Sequence, residues 1–161
     1  MNEAEFDKFA DEYYALHSAG IAFSGEGPEY FSEYKLKDIA RKYGYSSQLQ
    51  NSTVRILDFG AGIGNFVPYV HKYFASAELT CLDLSQRSLE IAEKRFSSQA
   101  QFVHFDGTRF PFPSDYFDIA FAMCVFHHID HDEHISLLQE LHRVFGQVGT
   151  CSYLSTTPTI R

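Results

Sequence analysis

The sequence predicts an α/β domain, a doubly wound and mostly parallel sheet preceded by N-terminal helices and lacking its last strands. Three observations carry this expectation. Short apolar runs alternate with helix-period segments from Val54 to Val144. That order is the signature of βαβ units, whose right-handed crossovers build parallel sheets. Three glycines, Gly60, Gly62 and Gly64, join the first apolar run to a helix. After Val144 the chain turns polar, and it offers no apolar run for a further central strand.

The chain has 161 residues, room for one domain of ordinary size. Residues 1–46 read as an N-terminal helical lid and 47–161 as the core, incomplete after about residue 144. The lid breaks at Ser24-Gly25-Glu26-Gly27-Pro28, a run of turn formers. Beyond it Tyr30, Phe31, Tyr34, Leu36, Ile39, Ala40 and Tyr43 recur at helical spacing, and Gly44 fits a C-cap. Ser46 to Thr53 is a polar linker. Val54–Phe59 predicts a first strand. Phe66, Tyr69, Val70, Tyr73 and Phe74 mark a helix that tolerates Pro68 in its first turn. Residues 78–82 predict a second strand, and Ser85 caps a helix whose inner face is Leu89, Ala92 and Phe96. Residues 101–105 predict a third strand, followed by a Pro/Gly loop over 107–116. Phe117 to Val125 is almost wholly apolar, as expected of a strand covered on both faces. Asp132 then caps a helix whose buried stripe is Ile135, Leu138, Leu141 and Val144.

Composition excludes several function classes. The formal charge is −8, and an anionic surface repels phosphate backbones and anionic lipid, so no nucleic-acid and no membrane partner is expected. The longest apolar run, Ile119 to Phe126, is far too short to cross a bilayer. The acidic start MNEAEFDKFADEYY lacks the basic-then-apolar order of a signal peptide. Cys81, Cys124 and Cys151 are odd in number and far apart, which fits a reducing cytoplasm better than a disulfide framework. The sequence sets no oligomeric state.

The segment Asp58-Phe59-Gly60-Ala61-Gly62-Ile63-Gly64-Asn65 stands between a strand and a helix. Glycines there let the backbone turn tightly and let a ligand approach, and the helix start offers free N–H groups. A dinucleotide fingerprint reads G-x-G-x-x-G. Here the spacing is G-x-G-x-G, and Asn65 stands where the third dinucleotide glycine would be. Asp58 would oppose a pyrophosphate but can accept from an ammonium group. Asp83 ends the second strand, where a carboxylate can accept from both ribose hydroxyls. Asp106-Gly107 ends the third, where a carboxylate can accept from an exocyclic amine such as adenine's. Such contacts at consecutive strand ends suit the carboxyl edge of a doubly wound sheet.

The runs VRILDFGAGIGNF, LTCLDLSQRSLEIAEKRF and FVHFDGTRFPFPSDYFDIAFAMCVFHHI together resemble a class I S-adenosylmethionine-dependent methyltransferase of the small-molecule type, with a ubiquinone-pathway-like layout. The resemblance covers roughly residues 54–144. It implies a Rossmann-like methyltransferase fold with S-adenosyl-L-methionine as cofactor and a small-molecule methyl acceptor. Gly60, Ala61, Gly62 and Gly64 would line the methionine part together with Asp58. Asp83 would hold the ribose, Leu84 beside it would also belong to the cofactor site, and Asp106 with Gly107 would border adenine. Met123, Cys124 and His128 would border the mouth shared by cofactor and substrate.

His127, His128, His131 and His134 lie close in sequence. Adjacent side chains diverge in extended backbone, and His131 and His134 open a solvated helix, so no metal site is expected. His128 is the candidate general base, because imidazole titrates near neutrality. The N-terminal aromatics, Tyr13, Tyr14, Tyr30, Phe31 and Tyr34, read first as packing and second as a lid over the cofactor. Lys35 reads as a solvated lysine, with the methionine carboxylate as its sharper alternative.

The family expects Arg-Val-Leu, a basic-Pro-Gly-Gly turn and an apolar fifth strand. This chain instead has Arg143-Val144-Phe145-Gly146-Gln147-Val148-Gly149 and a polar tail. Back-translated from Val144 and read two bases later, the tail becomes LRPGGHLFIFEHNPYNP, the missing turn and strand. A one-base deletion near the codons of Val144 and Phe145 would explain this, and a coding DNA that no single-base change restores to that frame removes the idea. The expected function is methyl transfer. Its alternatives are a non-catalytic or defective cofactor-binding domain and a nicotinamide-dependent oxidoreductase.

Overall fold

Val54–Phe59 forms β1 because its β-branched and apolar residues suit a strand covered on both faces. The computed structural model describes residues 28–43, 53–145 and 152–154, with side chains for 32–41 and 53–145. Expectations for the first helices, Tyr13, Tyr14, the side chains of Tyr30 and Phe31, Gly44 and most of the linker and tail lie outside the described residues.

The described elements follow the predicted alternation. They are α1 (Pro28–Tyr43), β1, α2 (Val67–Tyr73), β2 (Ala77–Asp83), α3 (Gln86–Phe96), β3 (Gln101–His104), β4 (Ile119–Met123), a 3-10 turn (Phe126–His128), α4 (His131–Val144) and β5 (Ser152–Leu154). The strands run parallel in the order β3-β2-β1-β4-β5. The chain runs outward from β1 through β2 to β3 and then crosses back to β4 on the other side of β1, and this reversal opens a crevice at the carboxyl ends of the strands.

Alternation along β1 splits the core into two faces. Leu57 and Phe59 pack with Leu137, Leu141 and Val144 of α4. Val54 and Ile56 pack with Leu36, Ile39 and Ala40 of α1 and with Val67 and Val70 of α2. Rings dominate the first face. The centroid of Phe59 lies 4.9 Å from that of Phe110 and 5.7 Å from that of Phe105, and such tilted or edge contacts add to area burial. Ser85 caps α3, its hydroxyl accepting from the Ser88 N–H, as the sequence predicts.

The last helix differs from expectation. It begins at His131 with Asp130 in the N-cap position, not Asp132. Its buried residues are Leu137, Leu141 and Val144, whereas Ile135 is 68% and Leu138 43% exposed. A stripe spaced by three residues turns about 60° per step around a 3.6-residue helix. Its far end therefore leaves the face that the sheet covers.

Strand ends differ too. β4 stops at Met123 because Cys124 has a left-handed φ of 59°. Before it, the Asp118 carboxylate turns back to accept from the Arg55 N–H. The tail also supplies a strand that its polarity did not announce. Ser152–Leu154 pairs in parallel with Phe121–Met123 at an edge of the described sheet. A three-residue edge ladder is made by backbone groups, so apolar side chains are not required.

Arg143 ties the Pro/Gly loop to α4. Its guanidinium donates to both Glu140 carboxylate oxygens and to the carbonyls of Phe110 and Phe112, while Glu140 accepts from the Phe110 N–H. Arg143→Ala is expected to cost about 2–3 kcal/mol in urea unfolding, and Arg143→Lys to recover little of it, because an ammonium cannot reproduce the fork. No helix among the described residues is long and apolar enough to cross a membrane.

Candidate functional site

The glycine turn follows β1 and is tied to β2, since the N–H groups of Gly60 and Ala61 both donate to the Leu82 carbonyl. Gly60 has a φ of 73°, and a Cβ there would sit 2.3 Å from the side chain of Val125. Only glycine meets both demands. Gly62 has a φ of 53°, and a Cβ there would meet nothing within 4 Å, so this part of the turn faces open space. Gly64 closes the turn against Ala92 and Phe96 of α3.

Asp83, the last residue of β2, supports the turn from below. One oxygen accepts from the Gly62 N–H at 2.7 Å and the other from the Ser85 N–H at 2.8 Å. Burial pushes its carboxyl above the usual range, while the backbone donors oppose that rise. A carboxylate has about four lone-pair sites, so these bonds leave acceptor capacity.

Asp58 is the unusual group. It is 1% exposed, and neither carboxylate oxygen has a hydrogen-bond partner. Burial, and then the charge of Asp83, hold its carboxyl well above the usual range. An unsatisfied buried charge is costly and calls for a compensating partner. Burial likewise pushes the neighbouring Cys81 thiol up.

The other strand ends complete the rim. Asp106 is exposed, and one of its oxygens accepts from the N–H and hydroxyl of Thr108 and from the Arg109 N–H, which hold its carboxyl low. It starts a turn through Gly107, whose φ is 86°. Met123 is buried, whereas Cys124 is exposed. The following 3-10 turn carries His128, whose ring centroid lies 3.8 Å from that of His127. The turn is not extended, so these adjacent rings meet rather than diverge. Burial, and then His128, hold the His127 imidazole below its ordinary range. His134 is no solvated opener. Its Nε2 lies 2.9 Å from the carbonyls of both Phe126 and Ile129 and clamps the turn. Among the described residues no group of three His, Cys, Asp or Glu is placed to hold a metal ion.

Asp58, Gly60, Ala61, Gly62 and Asp83 thus stand together at the ends of β1 and β2, and Val125, which follows Cys124 past the end of β4, closes on Gly60. Leu84 is buried in the same stretch, between Asp83 and Ser85. Asp106 and Gly107 stay within their own loop. Sequence reading missed Val125, which closes on Gly60. It also missed Arg95, which donates to the Ile63 carbonyl and to Asn65. The basic residue late in α3 was the only signal for the latter.

The family model described as "Methyltransferase domain" matches residues 56–149, more than half of the chain. The chain belongs to the methyltransferase domain family. This methyltransferase domain is 30% identical over 105 residues to the ubiquinone/menaquinone biosynthesis C-methyltransferase UbiE of Desulfotalea psychrophila, covering 65% of this chain and 42% of the relative. Two solved structures share the fold. One is a protein of Methanococcus maripaludis described as an S-adenosyl-L-methionine-dependent methyltransferase, with a TM-score of 0.72 and 19% identity, covering 95% of this chain and 65% of the other. The second is a SAM-dependent methyltransferase of Aquifex aeolicus, with a TM-score of 0.65 and 15% identity, covering 95% and 72%. The methyltransferase domain therefore spans less than half the length of the curated relative. Its sheet, parallel and wound on both faces, is the one that the sequence predicts.

Proposed function

We propose that this domain binds S-adenosylmethionine at the carboxyl edge of its sheet and transfers the methyl group to a small-molecule acceptor. One observation carries the reading: the buried and unpartnered carboxylate of Asp58 beneath an open glycine turn. That pair suits an ammonium group on a ligand that lies along the turn. It does not suit the pyrophosphate of a nicotinamide dinucleotide, which an anion there would repel. Family membership and the names of the relatives support the same cofactor.

Asp58 would hold the ammonium, Gly62 would allow close approach, and the remaining acceptor sites of Asp83 would take ribose hydroxyls. Asp106 and Gly107 would border adenine. S-adenosylmethionine supplies an electrophilic methyl group carried on a sulfonium. The protein's own task is to set an acceptor atom in line with that group and to exclude water. Met123 and Cys124 border this mouth. His128, exposed on the turn past β4, would take the proton that the acceptor sheds as its lone pair forms the new bond. Helix α1 would belong to a lid that helps choose the acceptor. The name of the D. psychrophila relative makes a quinol-type ring carbon the first acceptor to try. The cysteine pattern supports a reducing, cytoplasmic setting.

Calorimetric titration is expected to show binding of S-adenosylmethionine and none of NADH. Incubation with methyl-labelled cofactor and a quinol is then expected to move label into the quinol. Binding of NADH in place of S-adenosylmethionine would reverse the reading. Cofactor binding without transfer to any small molecule would leave a binding domain only.

A further inference from the structure

We propose that His134 of α4 is a positioning residue for methyl transfer: by holding both ends of the turn at Phe126–His128, it fixes where His128 and Cys124 stand at the mouth. This rests on the S-adenosylmethionine reading above and adds to it a residue that sets the rate of transfer from outside the cofactor's own contacts.

His134 has a rigid base. Leu137, Leu141 and Val144 are the buried residues of α4, and they pack with Leu57 and Phe59 of β1. His134 stands three residues before Leu137, one turn nearer the site on the same stripe. The half-buried imidazole is therefore carried by a helix face that the sheet holds in place.

The imidazole reaches two backbone groups at once. Its Nε2 lies 2.9 Å from the Phe126 carbonyl and 2.9 Å from the Ile129 carbonyl. Both partners can only accept, so Nε2 carries the proton and donates to each. Phe126 opens the turn, and Ile129 caps its end. One donor thus joins the two ends of a turn whose own closure is slight. Within it the His128 N–H donates to the Val125 carbonyl at 3.0 Å, and the Ile129 N–H to the Phe126 carbonyl at a long 3.3 Å. Hydrogen bonds in a 3-10 turn have poorer geometry than those of an α-helix, so an outside clamp counts for more there. The Phe126 ring adds to the hold, edge-on to the His134 ring at 5.3 Å.

The clamped segment carries the groups at the mouth. His127 and His128 are both exposed on it, with ring centroids 3.8 Å apart. Cys124, just before it, has a left-handed φ of 59° and accepts from Lys35 Nζ at 3.5 Å. A sparsely populated backbone persists only where its surroundings over-determine it, and such positions gather at functional sites. His134 supplies part of that constraint from the far side of the turn. Release of the two carbonyls would let the segment drift, and a misplacement of about 1 Å is enough to slow a positioned reaction about a hundredfold.

Two variants of the whole chain, with methyl-labelled S-adenosylmethionine and the quinol, test the role. His134→Phe keeps a ring but no donor. His134→Gln ends in an N–H group the same number of bonds from Cα as Nε2. His134→Phe is expected to slow transfer about ten- to a hundredfold. Its calorimetric affinity for S-adenosylmethionine should stay within about twofold of the wild type. His134→Gln should regain most of the rate. Nitrogen NMR of the wild-type chain should place the His134 proton on Nε2. The His127 imidazole, which burial and then His128 hold below its ordinary range, should titrate closer to that range in His134→Phe and stay low in His134→Gln. Unchanged transfer by His134→Phe overturns the proposal. A fall in cofactor affinity as large as the fall in rate overturns it too, because His134 would then act through the whole fold, and a glutamine variant as slow as the phenylalanine one has the same force. A wild-type chain that binds no S-adenosylmethionine, or methylates no quinol, strikes the reading of the cofactor or of the acceptor instead. The NMR readings then decide on His134 alone: a proton on Nδ1, or a His127 titration that ignores the substitution, overturns its role in holding the turn.

Discussion

Asp58→Asn is expected to raise the melting temperature of the domain near pH 7.5 and to abolish S-adenosylmethionine binding. The folded chain holds Asp58 buried, without a hydrogen-bond partner and beside the Asp83 charge, so its carboxyl is raised well above the unfolded value. For a raised acid the native state binds the proton more tightly than the unfolded state. The associated stability is complete below the unfolded pKa and is lost as pH rises through the folded one. At pH 7.5, above the unfolded value, the unfolded acid is ionised and the wild-type domain has lost part of that contribution, whereas a neutral amide of the same shape has no such pH-dependent loss. The amide is itself buried and without a partner, so the gain comes from the missing charge, and each kcal/mol of it corresponds to about 2–4 °C for a chain of this size. The gap should narrow as pH falls toward the ordinary carboxylate range, where the acid and the amide are both neutral. Thermal melts of both proteins across pH, with and without cofactor, check this. A variant that melts lower at neutral pH, or that binds cofactor as the wild type does, would contradict the role given to Asp58.

Gly60→Ala is expected to cause the largest loss of stability of any single methyl added to the turn, about 3–5 kcal/mol. Two penalties combine. The left-handed backbone costs an L residue about 1–3 kcal/mol. The new Cβ would also lie 2.3 Å from a methyl of Val125, and overpacking of that kind costs about 1–3 kcal/mol. Gly62→Ala carries only the backbone penalty, because its Cβ would meet open space. Urea unfolding should therefore separate the two variants by about 1–3 kcal/mol. Placing Gly60→Ala in a Val125→Ala background should return part of the difference, since neighbouring sites are not additive. Equal losses at Gly60 and Gly62 would show that the Val125 contact is not what the turn must avoid.

The order of elements was legible because alternation between period 2 and period 3.6 is written locally in each segment. The glycine turn and Asp83 were legible for a related reason. A strand-to-helix turn and a strand end fix where such residues stand before any tertiary contact forms. Other features depend on what the folded chain brings together. Ile135 and Leu138 looked buried, but the sheet covers only the side of α4 that holds Leu137, Leu141 and Val144. No local rule gives Cys124 a left-handed backbone or lets His134 reach two carbonyls of the preceding loop. Lys35 and Cys124 are 89 residues apart, so their contact exists only once α1 packs on the sheet. The short β5 was missed because an edge ladder asks little of its side chains.

The sheet separates two kinds of demand. The Phe59, Phe105 and Phe110 rings fill the side facing α4, while Asp58 and the helix bearing Lys35 occupy the other. Changes far enough apart to share no partner add nearly independently. A lineage carrying this domain can therefore accumulate ring-for-ring replacements on one side as neutral variation in thermal tolerance. Selection for a new ligand preference then acts on the opposite side, with little of the history of one written into the other.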